Sequence, residues 1–401
     1  MAIRLMLLGA LSAFAAHTTS SALEDLHGLY PHLSLEEITE KVRAAENEFD
    51  FYRAFVGDFW FAWYHKAQHD PLYNPFSSTP EFRTEIMGDP HFENFGIFRT
   101  RGGALDFGPL DFDDHEQGDA RADLMRFLVS AQYLDDVPPH AGELLQAYTK
   151  GFRGDARERS FALNQRMEKV QKHGAFAINR SWLGAEGHLN RTKFDEDKNF
   201  DESAYRKTEG QLRELFEPRY RVRDFAFRRR DYGGSAKLKR IMVALEMAPK
   251  TVVAVELKEL IGSAAVEQPH RVRNTTSEIF RRVKNAKAAL EISPVVDDVV
   301  ILGETVYELR PKIRDRQALE RLDHSPNDVA AISLDAAAVL GRLHAEGMSL
   351  SDRAEYAAAL SELKREDIES AVAAWRAFNA RHYQAARREA GGTGVALKIF
   401  F

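Results

Sequence analysis

A chain of 401 residues, 44% hydrophobic and 29% charged, has the make-up of a folded protein with two subdomains and a substantial core, not of a disordered one. Its net charge of −6 creates no overall field for holding nucleic acid or an anionic membrane, so neither is expected as a partner. The lack of cysteine excludes disulfides, thiolate zinc sites and a cysteine nucleophile, and suits either redox compartment.

The first residues carry an address. Arg4 precedes an apolar run from Leu5 to Ala16, and small and polar residues follow to Ala22, which is the layout of a secretory signal over residues 1–22 with cleavage after Ala15 or Ala22. The run of about a dozen residues is shorter than the roughly twenty needed to cross a bilayer, so no stable membrane anchor is expected. The protein is read as exported, periplasmic or secreted. The alternative is a cytoplasmic protein that begins on a buried amphipathic segment.

Leu33 to Lys66 alternates charged and apolar residues at helical spacing, with Ser34 and Glu37 as a capping box. Within it the aromatics of Phe49 to Phe55 surround Arg53, read as a core-facing stripe with a snorkelling arginine. Residues 68–80 read as loop, and Glu85 to Met87 as a short strand leading into GDPHFENFGIFRTRGGALDFGPLDFDD, Gly88 to Asp114. Asp119 to Tyr133 reads as a helix with acidic residues early, and further helical patterns run to about Phe216.

The pattern changes after Arg221. Strand, glycine turn, strand, turn and strand follow as far as Leu260, a small antiparallel sheet. Thr275 to Glu291 is helical, Val295 to Ile313 a second hairpin turning near Gly303, and Asn327 to Ala345 and Ala357 to Glu389 are alanine-rich helices. No internal repeat is present. The basic runs Arg228 to Arg230 and Arg281 with Arg282 read as solvated faces.

Moving a phosphoryl group to a hydroxyl takes a carboxylate to accept the proton, metal ligands to neutralise phosphate charge, and a glycine-rich turn and a lysine to hold the nucleotide. Asp89 suits the base. Asn94, five residues on, and Asp111 suit the metal, with Asp113 as a second ligand or a structural carboxylate. Gly233, Gly234 and Ser235 suit the phosphate-covering turn, Lys258 the phosphate-binding ammonium, and Glu278, twenty residues later, an ion-pair partner for Lys258. The simpler reading makes Asp89 and Asn94 turn formers, His91 a core histidine bonded to a loop carbonyl, and the acidic run a solvated loop. Asp123 is read as anchoring the loop from the helix start, and Arg53 and His344 as structural.

GDPHFENFG, DFDD, DLMRFLVS (Asp123 to Ser130), the GGS turn, VELKEL and LGRLHA (Leu340 to Ala345) resemble the bacterial domain-of-unknown-function 2252 family, over most of the chain from about Phe49. That family is similar to protein kinases and aminoglycoside phosphotransferases, whose catalytic loops carry an Asp and an Asn five residues apart. Here the catalytic-loop motif precedes the glycine-turn sheet, and the LGRLHA helix, which lies before that loop in aminoglycoside phosphotransferases, falls near the C-terminus. The resemblance implies an α+β, kinase-like two-lobed fold, circularly permuted: a helical lobe over 23–220, a nucleotide-binding-like sheet lobe over 221–316, and helices over 317–401 returning to the first lobe. It implies ATP or another nucleotide, and Mg or Mn, as cofactors. The chain departs from the pattern at Lys237, where such loops often carry glycine, and at the family's helical acidic residue, which aligns nearer Asn285, so that Glu278 rests on spacing alone. Asp106, Phe107, Gly108 spells the kinase metal-binding triplet. The DFDD context favours Asp111.

The expectation is a metal-dependent, kinase-like phosphotransferase acting on a hydroxyl of a small-molecule or protein acceptor. A catalytically inactive kinase-like binding module in the periplasm is the first alternative. A metal-dependent phosphoesterase built on Asp89, His91 and the aspartates is the second, although no GNH triplet or His-x-His accompanies them.

Overall fold

A computed structural model of the chain describes residues 21–391 apart from 135–139, 156–157, 175–176, 198, 218, 231–232, 249–250, 267–273, 294–297 and 320–323. Residues 1–20 of the expected signal lie outside this range. Its last two positions belong to a helix, because Ser21 caps α1 (Ala22–Leu29) in a reciprocal box with Glu24. The Ser34 and Glu37 box opens α2 (Leu35–Ala44), and α3 (Glu48–Ala54) and α4 (Val56–Ala62) complete the helical lead-in.

The chain is mixed α/β with open sheets. After the lead-in come β1 (Arg83–Ile86), β2 (Phe95–Arg99), β3 (Leu105–Pro109) and β4 (Glu116–Asp119), then α5 (Ala120–Ala131), α6 (Ala141–Arg153), α7 (Phe161–Lys172) and α8 (Glu202–Phe216). The sheet region holds β5 (Arg221–Phe227), β6 (Arg240–Ala248), β7 (Thr251–Leu260), α9 (Thr276–Ala289), β8 (Asp298–Leu302), β9 (Thr305–Pro311) and β10 (Gln317–Ala318). The chain ends on α10 (Pro326–Gly347), α11 (Leu350–Glu362) and α12 (Arg365–Glu389). The single helix expected over Ala357 to Glu389 is thus two, separated where Leu363 turns extended. Among the described residues no helix is long and apolar enough to cross a membrane.

Among the described residues two large cores are flanked by two smaller ones. One large core joins Trp60, Trp63 and Trp375 with α5, α6 and α10. The other lies under the five-stranded antiparallel sheet of order β5-β6-β7-β9-β8. Along β6 the residues alternate as the strand pleat requires: Ile241, Val243 and Leu245 enter that core, while Met242 and Ala244 pack on the opposite face with Leu189 and Phe194. The sheet region therefore begins earlier than residue 221. Leu212 and Phe216 of α8 bury against Val222 and Phe225, and Tyr205 Oη donates to the Phe225 carbonyl at 3.1 Å, so the helix follows its apolar face onto the sheet.

Candidate functional site

The loop after β1 is built from backbone held by buried side chains. Gly88 has φ +76°, and a Cβ there would stand 2.1 Å from the Asp114 carbonyl oxygen, so the two ends of the Gly88 to Asp114 segment can touch only through glycine. Asp123, at the start of α5, accepts from Met87 N at 3.0 Å and Gly88 N at 2.9 Å. Its Oδ2 also lies 3.0 Å from His344 Nε2 of α10. Trp60 Nε1 donates to the Gly88 carbonyl at 2.7 Å.

Asp89 projects from this loop. Arg126 donates to its Oδ1 from Nε at 3.0 Å and Nη2 at 2.6 Å. Asn94 Nδ2 donates to its carbonyl at 2.9 Å, which leaves the Asn94 amide oxygen as a donor atom for a ligand. Burial, opposed by Arg126, leaves the Asp89 carboxyl above its ordinary value. His91 is buried with Nε2 3.5 Å from Asp89 Oδ2. Among the described residues its Nδ1 has no hydrogen-bond partner, so the expected bond to a loop carbonyl is not found there. Burial together with Arg53 and Arg126 pushes the His91 ring well below its usual range, which keeps it neutral.

The acidic run meets the sheet. Lys258 Nζ of β7 donates to Asp111 Oδ1 at 3.1 Å and Oδ2 at 3.0 Å, across 147 residues of sequence, and also pairs with Asp113. Burial alone would raise the Asp111 carboxyl, but Lys258 and Arg310 hold it well below the usual range. Burial and the neighbouring Asp111 push Asp113 up to about 6, and its Oδ1 is buried without a partner among the described residues. Asp114, whose Oδ1 accepts from Ala264 N at 2.7 Å, is pushed up to about 7 by burial and Asp89.

Glu278 does not reach Lys258. It is spent on its own helix, accepting from Thr275 N at 2.7 Å and Thr275 Oγ1 at 2.9 Å. The carboxylate opposite Lys258 is Glu308, its register partner on β9, and Glu308 takes Lys287 Nζ of α9 at 2.6 Å. The helix thus supplies the cation and the strand the anion, the reverse of the expected pair. Against burial, Arg310 and Lys287 pull the Glu308 carboxyl down to about 2. Asp106 also lies elsewhere, paired with Arg159 at 2.7 Å in a separate hollow beside Asp335.

A cavity of about 270 Å³ joins the two regions, lined by Asp89, Asn94, Asp111 and Asp113 from one side and by Gly234 and Ser235 from the other. Gly233, with φ +86°, shapes the turn without lining the cavity. Arg53, read as structural from sequence, also lines it and pairs with Glu93 at 2.6 Å. Arg310 and Arg316 were missed. A weak signal is present for Arg310, since alternate positions of a strand share a face and it is two residues from Glu308 on β9, whereas Arg316 lies outside any strand and carries none.

Among the described residues Asp111, Asp113 and Glu308 place carboxylate oxygens within 4.8 Å of one another. Such hard oxygen donors fit Mg or Mn, and the unpartnered Asp113 Oδ1 is a position such an ion would satisfy. Residues 43–136 match the model of a family described as uncharacterized protein conserved in bacteria (DUF2252). No curated protein and no solved structure matches the chain.

Proposed function

We propose that the cavity is a phosphotransfer site of the protein-kinase and aminoglycoside-phosphotransferase type, moving a phosphoryl group from ATP or another nucleotide to a hydroxyl of a small-molecule or protein acceptor. The observation that carries this reading is the Lys258 ammonium bridging Asp111 and Asp113. A cation of the sheet and two carboxylates of the loop, the groups that a phosphate and a divalent ion would need, meet at one point, with Asp111 and Asp113 lining the cavity and Lys258 buried behind them.

Asp89 would accept the acceptor's proton on Oδ2, since Arg126 occupies Oδ1 and Asn94 Nδ2 reaches Oδ2 only at 3.4 Å. Arg126 and neutral His91 fix the carboxylate's direction. Asn94, Asp111 and Asp113 would hold a divalent ion, which would supply charge neutralisation at the transferred phosphate. Lys258 and Arg310 hold nucleotide phosphates, and the turn Gly233 to Ser235 covers them.

A circularly permuted, two-lobed α+β arrangement is part of the proposal. Its support is that α10, carrying LGRLHA, lies against the strand leading into the Asp89 loop: Thr84 Oγ1 donates to the His344 carbonyl at 2.8 Å, and His344 meets Asp123. In the proposed permutation α10 would supply the helix that precedes this loop in an unpermuted chain.

The inactive binding module keeps a foothold in two observations. The cavity, about 270 Å³, is below the roughly 300–1,000 Å³ usual for ligand sites, and Lys237 occupies a left-handed position, φ +68°, in the turn. The phosphoesterase has less support, because the carboxylate cluster includes no histidine. A thermal shift of the full chain by ATP with Mg or Mn is the expected outcome. Hydrolysis of a generic phosphoester without nucleotide would favour the phosphoesterase, and no shift with any nucleotide would favour the binding module. Export of the protein is likewise proposed, and the mass of the mature N-terminus tests it.

A further inference from the structure

The glycine turn is gripped from outside its own sheet. Lys41 of α2, 2% exposed, donates from Nζ to the Gly234 carbonyl at 3.0 Å. One residue earlier Glu40 pairs with Lys237 at 2.8 Å. The Lys41 ammonium also stands 5.0 Å from the Tyr30 ring centre and 5.1 Å from that of Phe55, so the grip is desolvated and backed by aromatic faces.

The other end of this unit is fastened to the C-terminal helix. Glu389 accepts from Ala22 N and Leu23 N, both at 3.0 Å. Arg43 Nε donates to the Ala390 carbonyl at 2.6 Å, and Leu23, Leu26, Ile38 and Val42 share a small core with Ala386 and Ala390. The helices α1 and α2 therefore span from the helical body to the tip of the sheet region, and Tyr30 and His32 between them line the cavity.

We infer that α1 and α2 form a clamp in which Lys41 and Glu40 position the glycine turn for nucleotide phosphates. This rests on the nucleotide reading of the cavity. The peptide plane gives the reason. A trans peptide sends its C=O and the following N–H in opposite directions, so fixing the Gly234 carbonyl on Lys41 turns the Ser235 N–H away from α2. Arg240 Nη2 holds the Ser235 hydroxyl at 2.7 Å from the sheet side. Between these two anchors the Ser235 amide is presented to a phosphate oxygen, as in other anion-binding turns.

The test uses the full chain with Lys41→Met, which keeps the stem over the rings but removes the ammonium, and Lys41→Arg, which restores a cation. Hydrogen exchange at residues 233–239 and calorimetric binding of ATP with Mg, and of adenosine, are measured for each. Faster exchange at the turn and about tenfold weaker ATP binding are expected for Lys41→Met, the loss of one charge-assisted hydrogen bond. Adenosine affinity should stay unchanged, and Lys41→Arg should recover part of the ATP loss. Unchanged exchange at the turn in Lys41→Met overturns the clamp whether or not nucleotide binds. Unchanged ATP affinity beside a wild type that does bind ATP overturns its positioning role. A wild type that binds neither ATP nor adenosine removes the nucleotide reading on which the inference rests.

Discussion

The two walls of the cavity are held in different ways. The loop carrying Asp89 is tied through its backbone: Asp123 takes two main-chain amides, Trp60 donates to the Gly88 carbonyl, and Gly88 permits contact with Asp114. The glycine turn is tied chiefly by long side chains, Lys41 to Gly234, Arg240 to Ser235 and Glu40 to Lys237. A group that receives a proton has to be aimed before substrate arrives. A turn proposed to cover phosphates has to keep its amide in place, which the buried Lys41 tether would do from outside the sheet.

Removing an anchor from each wall should therefore do different things. On the helical side Asp123→Ala strands two buried amides and His344, and is expected to cost about 3–5 kcal/mol in urea unfolding. A loss below about 1 kcal/mol would mean that the loop is not anchored there. Asp89→Asn keeps an acceptor for Arg126 and should fold, while phosphate transfer falls by about 10²–10⁴-fold. Asp89→Ala is the poorer probe, because it leaves the Arg126 guanidinium buried without its carboxylate.

On the sheet side the expected signature is a pH dependence. Burial lowers Lys41 from 10.5 to about 8, with Asp114 opposing. The folded pKa is below the unfolded one, so the unfolded chain binds more protons between those values and stability rises with pH across that window. Lys41→Met should abolish the rise and, below pH 8, be the more stable protein by on the order of 2 kcal/mol. Asp114, His32 and the Tyr30 and Phe55 rings act on the same ammonium, and a wild-type stability curve flat across that window would show that they compensate its burial. The smallest effect belongs to Glu278→Gln, which touches neither wall. Only the slight loss of stability of a frayed helix start should follow in urea unfolding, with nucleotide affinity unchanged.

Much of this was legible from local rules. The Ser34 box, the hairpin turning at Gly303 and the helix after Asp119 follow from capping, turn chemistry and periodicity. The failures share a cause. Glu278 was chosen by its distance along the chain from Lys258, although Thr275 three residues earlier already marks it as the carboxylate of a capping box. The reversal of the strand and helix charges at Glu308 and Lys287 depends on which strands are neighbours, and that pairing is set by the whole sheet. The Lys41 grip joins residues 193 apart. No local pattern marks a lysine as buried when its neighbours Glu40 and Arg43 are ordinary surface charges of an amphipathic helix.

The central claim is that the two walls form one metal- and nucleotide-binding site, and the most direct measurement is calorimetric titration of the full chain with ATP, with and without Mg, for wild type and Asp111→Asn. ATP binding should strengthen with Mg in the wild type and lose that dependence in Asp111→Asn. Equal ATP affinity with and without Mg, or no ATP binding by a folded wild type, would contradict it.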